Sequence, residues 1–434
     1  MSEFQKRAAA LAAATVLLLS LAACEKKQED KIQAETPDLA QSGLYQPEPS
    51  ETEEPGEENL PDTITISMVG DCTLASSQYN NDFERVVGTD YSWPFAGVKD
   101  ILDEDDFTIA NLEGSFSDEK LTASTTFYFC APADYAKILT EGSVECATMG
   151  NNHTKEFGSK GVENTQAALD AVGVPYILGG YGDIYDVQGM KLGVFVSNFG
   201  PTTGEVTSGV KKLKSDGADF IIVCTHWGIE GSYHPNSNQV SVAHAAIDAG
   251  ADVVCGTHPH VLQKTETYGN GYILYSLGNF SFGGNTNPRD KDSVIAQLKI
   301  SRNEDGTFSL AETELIPCCL SSKSGGNNYQ PIPYEKDTEA YKRTMSKLDG
   351  TFTGPDLVVD YSSLHGGTST PAPETTPAGG ESSGGQTGGE TSGETGAPAG
   401  GEVPAPAPAP DAAPAPAPEP VPDPAPATES APAE

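Results

Sequence analysis

Four of the seven histidines in this chain fall in three short strings: Gly150-Asn151-Asn152-His153, Thr225-His226-Trp227-Gly228-Ile229-Glu230 and Gly256-Thr257-His258-Pro259-His260. Gly70-Asp71 and Asn111-Leu112-Glu113 lie upstream in similar settings. Imidazole, carboxylate and carboxamide oxygen together form the ligand set of a divalent metal site. In His258-Pro259-His260 the proline can turn residues i and i+2 toward neighbouring points, so that two metals a few Å apart each take one imidazole. His226 closes an apolar run, where a histidine taken alone is more often a structural residue than a ligand. Its neighbour Trp227 can wall a pocket, and Glu230 can orient an imidazole by hydrogen bonding. Asn151-Asn152-His153 reads either as a turn or as a weak carboxamide ligand followed by a histidine beside the metals. Such a histidine is suited to protonating a leaving oxygen. Asp71 and Glu113 offer anionic oxygens, one of which can bridge two metals; alone, each is equally a cap or turn acid. Asn279, in Leu277-Gly278-Asn279-Phe280, reads as a turn residue or as polar support for the site.

The elements that must position these strings follow from hydrophobic periodicity. Strands are expected over residues 63–69, 107–110, 144–149, 174–178, 191–198, 220–225, 253–255 and 272–276. The run 220–225 is apolar throughout, as a strand covered on both faces should be. Helices are expected over 161–172, 205–215 and 240–249, with Gly173 and Gly250 as C-terminal stops. Residues 293–300 and 307–315 read as a hairpin around 303–306, and 334–348 as a closing helix. Strand and helix alternating in this way predicts an α/β layered core. The polar strings sit just past strand C-termini, the edge on which such sheets build sites.

The chain ends carry different information. Lys6 and Arg7 precede an apolar stretch, 8–21, of signal-peptide length and too short for a comfortable membrane span. It closes with Leu21-Ala22-Ala23-Cys24, which looks like a bacterial lipobox, with Cys24 as the lipidated first residue of the mature protein. Residues 1–23 are thus read as a lipoprotein signal peptide, and the lipid would tether the protein to the outer face of the cell membrane. Residues 24–62 form an acidic linker. From Glu25 to Asp62 there are 12 acids against 3 lysines, and from His365 onward 10 acids with no Lys or Arg. These flanks therefore hold −19 of the formal charge of −37. They are poor in large apolar residues and are expected to be disordered, the tail passing from Gly/Ser/Thr-rich to Pro-Ala-rich. That leaves one folded domain, 63–364. No basic stripe is visible, which argues against nucleic acid as a partner. Apart from Cys24 there are seven cysteines and no C-x-x-C, so neither a zinc ribbon nor a thioredoxin-type site is supported. Cys224 and Cys255 read as small buried hydrophobes in strands.

Taken in order, Gly70-Asp71, Asn111-Leu112-Glu113, Phe127-Tyr128-Phe129, Asn151-Asn152-His153, His226 to Glu230, His258-Pro259-His260-Val261 and Ser276 to Phe280 resemble the CapA family of bacterial capsule (poly-γ-glutamate) synthesis proteins. The resemblance spans about residues 64–320. It implies an α/β fold, the calcineurin-like metallophosphoesterase sandwich of two β-sheets with helices outside. It also implies that Asp71, Glu113, Asn152, His226, His258 and His260 hold divalent metal ions, two of them, with Mn, Fe, Zn or Mg as candidates. His153 would be the acid beside them, with Asn151, Glu230 and Asn279 in support. The chain departs from the pattern at Cys72 to Ser76, which lack a basic residue, and at Glu156, where Asp is usual. The D-x-H pair of true phosphoesterases is absent, because position 73 is Thr; this bears on phosphatase activity more than on metal binding. The first reading is a surface lipoprotein with a metal-dependent hydrolase-like site. It would act on an anionic cell-envelope polymer such as poly-γ-glutamate, alongside capsule synthesis or export proteins. The alternative is a non-catalytic assembly factor that binds polymer through metal. A solute-binding lipoprotein is disfavoured, since it needs no metal ligands.

Overall fold

A computed structural model describes residues 60–359. The signal peptide, Cys24, nearly all of the acidic linker and the Pro-Ala tail lie outside the described residues. Within them the chain forms two large sheets, of eight and six strands. In the first sheet, Thr63–Thr73 pairs in parallel with Phe107–Leu112, which is followed by Cys146–Met149 and Tyr176–Leu178. Its other side pairs antiparallel with Asp292–Arg302, then Phe308–Cys319 and Ile332–Pro333. The second sheet is ordered Thr265–Tyr268, Gly271–Leu274, Val253–Thr257, Phe220–His226, Met190–Val196 and Tyr181–Val187.

Period-2 patterning builds the layers. Ile64, Ile66 and Met68 point from the first sheet into a shared core with Leu192, Val194, Ile222 and Val253 of the second. Phe220–His226 is buried at every position. Phe220 and Ile222 face that shared core, while Ile221 and Val223 face the helices Thr203–Asp216 and Ser237–Ala249 through Val206, Val210, Val242 and Ala246. The outer face of the first sheet is covered by Gly158–Val172, through Ala168 and Leu169, and by the chain around Phe83 and Phe95. The two-sheet sandwich with helices outside that the resemblance implied is the architecture of the molecule. Cys224 and Cys255 are buried in adjacent strands, and among the described residues all seven cysteines are free. No described helix is long and apolar enough to cross a membrane.

Several boundaries differ from expectation. The closing helix is Glu339–Leu348, not 334–348: Asp337 has φ 67°, and Thr338 caps the helix by accepting from the Tyr341 amide. Ile332–Pro333 instead pairs with Cys318–Cys319. The strand Tyr181–Val187 was not expected; it is a mostly exposed edge strand whose Gly182, Asp183 and Asp186 carry no strand signal. Ser237–Ala249 starts three residues earlier than its apolar pattern, because Asn236 and Gln239 form a capping box.

Candidate metal centre

Parallel pairing brings the C-terminal ends of Thr63–Thr73, Phe107–Leu112 and Cys146–Met149 to one edge, and those of Phe220–His226 and Val253–Thr257 likewise. The polar strings are thereby gathered, though Asp71, His226 and Asn279 lie within strands and not past them. Asp71 is aimed by a bulge. The register of Thr63–Thr73 against Phe107–Leu112 shifts between Val69 and Asp71. Gly70 makes this possible: a Cβ there would lie 2.0 Å from the Gly278 carbonyl oxygen, to which the Asp71 amide donates at 2.9 Å.

The chain brings Asp71, Glu113, Asn152, His226, His258 and His260 together. His226 Nε2 lies 3.5 Å and His260 Nε2 3.8 Å from Glu113 Oε1. His260 Nδ1 is 3.3 Å from Asp71 Oδ2. The facing nitrogens His226 Nε2 and His258 Nδ1 are 3.2 Å apart, and Asn152 Oδ1 is 2.9 Å from His226 Nε2. Two groups of ligand atoms fall within 4.8 Å of one another: Asp71, Glu113, His226 and Glu113, His258, His260. Glu113 belongs to both, as a bridging carboxylate would. Its Oε2 accepts from Thr73 Oγ1 at 2.8 Å, so the threonine found in place of a histidine serves the carboxylate. Its Oε1 is fully buried with no hydrogen-bond partner. A buried anionic oxygen left so is costly unless a cation completes it, and the donor set around it fits a divalent metal. His258 (φ 97°) and His260 (φ 55°) hold the left-handed region. That conformation is uncommon for a side-chain-bearing residue and is here what turns both imidazoles toward one site.

Hydrogen bonds fix which nitrogen each ring presents. The Thr257 hydroxyl donates to the Thr225 carbonyl oxygen and so accepts from His226 Nδ1 at 2.8 Å, leaving Nε2 as a lone pair toward the cluster. Asn279 donates through Nδ2 to the His260 carbonyl, which turns its Oδ1 toward His260 Nδ1 at 2.9 Å. Asn279 is buried in the strand Asn279–Phe282, so the turn reading is corrected. Asn151 does not face the cluster. It donates to the Leu112 carbonyl and Asn111 Oδ1, and accepts from the His153 amide. Asn111 in turn donates to Asp71 Oδ1 at 2.8 Å. His153 sits beside the cluster, its Nε2 3.8 Å from Glu113 Oε1, and its Nδ1 lies 2.5 Å from Glu156 Oε1. Glu156 also accepts from the Phe129 amide. The sequence marked Glu156 only as a departure from a pattern; its spacing three residues after His153 was the available signal. Thr257 and Asn111 stood in the quoted strings without a role, because a threonine or asparagine near a strand end carries no chemistry until its partner is known.

Burial acts to raise the Glu113 carboxyl, but His260, His226 and His153 beside it hold it well below the usual range. Burial acts to lower His260, yet Glu113, Asp71 and Glu230 push it up to about 10. Burial, with His226 and His260 beside it, drives His258 well down. His153 is raised against its own burial by Glu156 and Glu113. Glu230 lines the adjoining cavity near His260. That cavity, about 680 Å³, is bounded by His153, His260, Asn152 and Asn279 on the metal side and by Phe127, Phe129 and Phe282 along its walls.

Comparison with known proteins finds relatives that act in capsule synthesis. The chain is 29% identical over 314 residues to the capsule biosynthesis protein CapA of Bacillus anthracis, covering 65% of this chain and 73% of that one. It is 27% identical to the PGA biosynthesis protein CapA of Bacillus subtilis, over 66% of this chain and 78% of the relative. Among solved structures, the NAD nucleotidase of Haemophilus influenzae aligns over 66% of this chain and 56% of that one, at 12% identity and a TM-score of 0.36. The family model for the bacterial capsule synthesis protein PGA_cap matches residues 65–191 and 189–284, a span that holds every residue of the cluster. The chain belongs to the PGA_cap family of bacterial capsule synthesis proteins.

Proposed function

We propose that the chain is a metal-dependent hydrolase of capsule or cell-envelope polymer synthesis, with poly-γ-glutamate as the favoured polymer. The supporting observation is Glu113 Oε1, an orphaned buried carboxylate oxygen facing three histidines. Asp71, Glu113, Asn152, His226, His258 and His260 hold two divalent metals. When bound, these supply Lewis-acid polarisation of the scissile group and a nucleophile from water near neutral pH. The chain's own residues do the rest. Thr257 and Asn279 keep the His226 and His260 rings in one orientation. Glu156 holds His153 by Nδ1, so that Nε2 faces the cavity's reacting end and hands its proton to the leaving group. Phe129, whose ring lies 4.7 Å from that of His153, keeps water from one face. Cys24 carries the lipid that places the enzyme on the outer face of the cell membrane.

The test is an assay of the purified chain on phosphodiester and γ-glutamyl substrates, with bound metal measured in parallel. Turnover that falls at least ~100-fold in His153→Gln with metal retained supports the reading. Metal without turnover on any substrate transfers the site to the assembly role, and a metal-free wild type overturns both.

A further inference from the structure

The cavity has a second wall of unusual origin. After the helix Glu339–Leu348 the chain does not leave the domain but returns across the cavity as an irregular strap, 351–359. Its Phe352 amide donates to the Ser346 carbonyl, and its ring packs edge-on against Tyr233 at 4.7 Å. Asp356 Oδ1 accepts from the Tyr233 amide at 2.9 Å. Leu357 donates to the Gly231 carbonyl at 2.7 Å, and Leu357 and Val359 line the cavity. Gly231 permits this approach: a Cβ there would lie 2.4 Å from the Leu357 carbonyl carbon. The Leu357 carbonyl also accepts from the guanidinium of Arg289, which lines the same cavity.

Arg289 is the one lysine or arginine among the described residues lining this cavity. Among its acids, Glu156 pairs with His153, and Asp290 with Lys347 at 2.6 Å and with the Tyr233 hydroxyl. The Arg289 guanidinium is itself exposed on this lining. The strap uses one of its five N–H donors, and the rest remain for a planar two-oxygen acceptor. A single guanidinium without a second cation matches one negative charge, as on a carboxylate, better than a phosphate dianion. Phe127, Phe129 and Phe282 line the same cavity, which suits methylene segments.

We infer that Arg289, held by the strap 351–359, is a specificity-determining group. It binds a carboxylate on a chain-like substrate while another part of that chain lies beside His153 and His260. The inference rests on the proposed function for the position of the reacting group, but not for the carboxylate subsite itself.

Calorimetric titration of the full chain in manganese, with a γ-linked glutamate tetramer and its all-carboxamide analogue as probes, tests this. Arg289→Ala should weaken tetramer binding roughly 10- to 100-fold and leave analogue binding unchanged, as expected for loss of a hydrogen-bonded charge. Arg289→Lys should restore only part. Phe352→Ala combined with Asp356→Ala should speed hydrogen exchange in 351–359 and weaken the tetramer similarly, with no further loss when Arg289→Ala is added. Equal tetramer affinity in wild type and Arg289→Ala, equal affinity of wild type for tetramer and analogue, or no binding of either to wild type overturns the inference. Bound metal in the same samples separates the two ideas. Arginine-dependent binding by a chain that holds no metal sinks the hydrolase reading alone, and metal without arginine dependence sinks the subsite alone.

Discussion

Around Lys347 the buried carboxylates meet a lysine and an arginine within the chain; around Glu113 they meet only imidazoles. Lys347 is almost fully buried, yet its ammonium lies 2.6 Å from Asp290 and 2.7 Å from Asp292. Asp292 also receives Arg343 and the Tyr334 hydroxyl. That knot pins the last helix to the sheet and needs nothing from outside. The Glu113 cluster is buried as deeply, but it collects two carboxylates and three imidazoles without a lysine or arginine, and one carboxylate oxygen has no partner. Burial of charge alone thus does not mark a functional site. Incomplete compensation does, because no folding advantage accounts for it.

The comparison breaks first at the knot. Lys347→Met should cost about 3–5 kcal/mol in denaturant unfolding, since Asp290 and Asp292 lose their shared cation. That cost should be the same with and without metal; a cost below ~1 kcal/mol would mean that the pairs are not compensating one another. Glu113→Gln should behave in the opposite way. Without metal it should cost about 1–3 kcal/mol, because the Thr73 hydroxyl and His260 lose their anionic partner. With metal at 100 times Kd, the roughly 2.7 kcal/mol of linked stabilisation seen in wild type should be lost.

Acid sharpens the same contrast. Burial acts to raise Asp292, but Arg343 and Lys347 outweigh it, and the carboxyl titrates below its ordinary value. A depressed folded pKa means that the unfolded chain binds the proton first. The contribution is therefore present above about pH 4 and is lost as pH falls through the folded value. Asp292→Asn should flatten the acid limb of the stability profile measured by thermal melts in metal-free buffer. The smallest effect is expected at Thr257→Val. Losing the acceptor for His226 Nδ1 should cost about 1 kcal/mol of stability, while weakening metal about 10-fold by titration. An unchanged metal affinity would remove Thr257 from any positioning role.

The fold was legible where one physical signal dominated. Residues 220–225 read as a doubly covered strand because every side chain is apolar, and Gly173 and Gly250 marked helix ends because each takes positive φ. Edge strands such as Tyr181–Val187 were hidden, since exposure erases alternation. Of the candidate site, the charged and imidazole members could be named from residue type. Their supports could not: Thr257, Asn111 and Glu156 take their meaning from hydrogen bonds across 31, 40 and 3 residues. The strap 351–359 was also invisible, because Phe352, Asp356 and Leu357 form no pattern until Tyr233 and Gly231 are brought beside them.

The central claim is that Glu113 completes a metal centre. It is tested most directly by titrating a divalent metal into the stripped full chain and counting bound ions by mass spectrometry, for wild type and Glu113→Gln. The account predicts about two ions per wild-type chain and a loss of at least one in the variant, as for a shared carboxylate. A wild type that binds none, or a variant that binds as many ions with equal affinity, would contradict it.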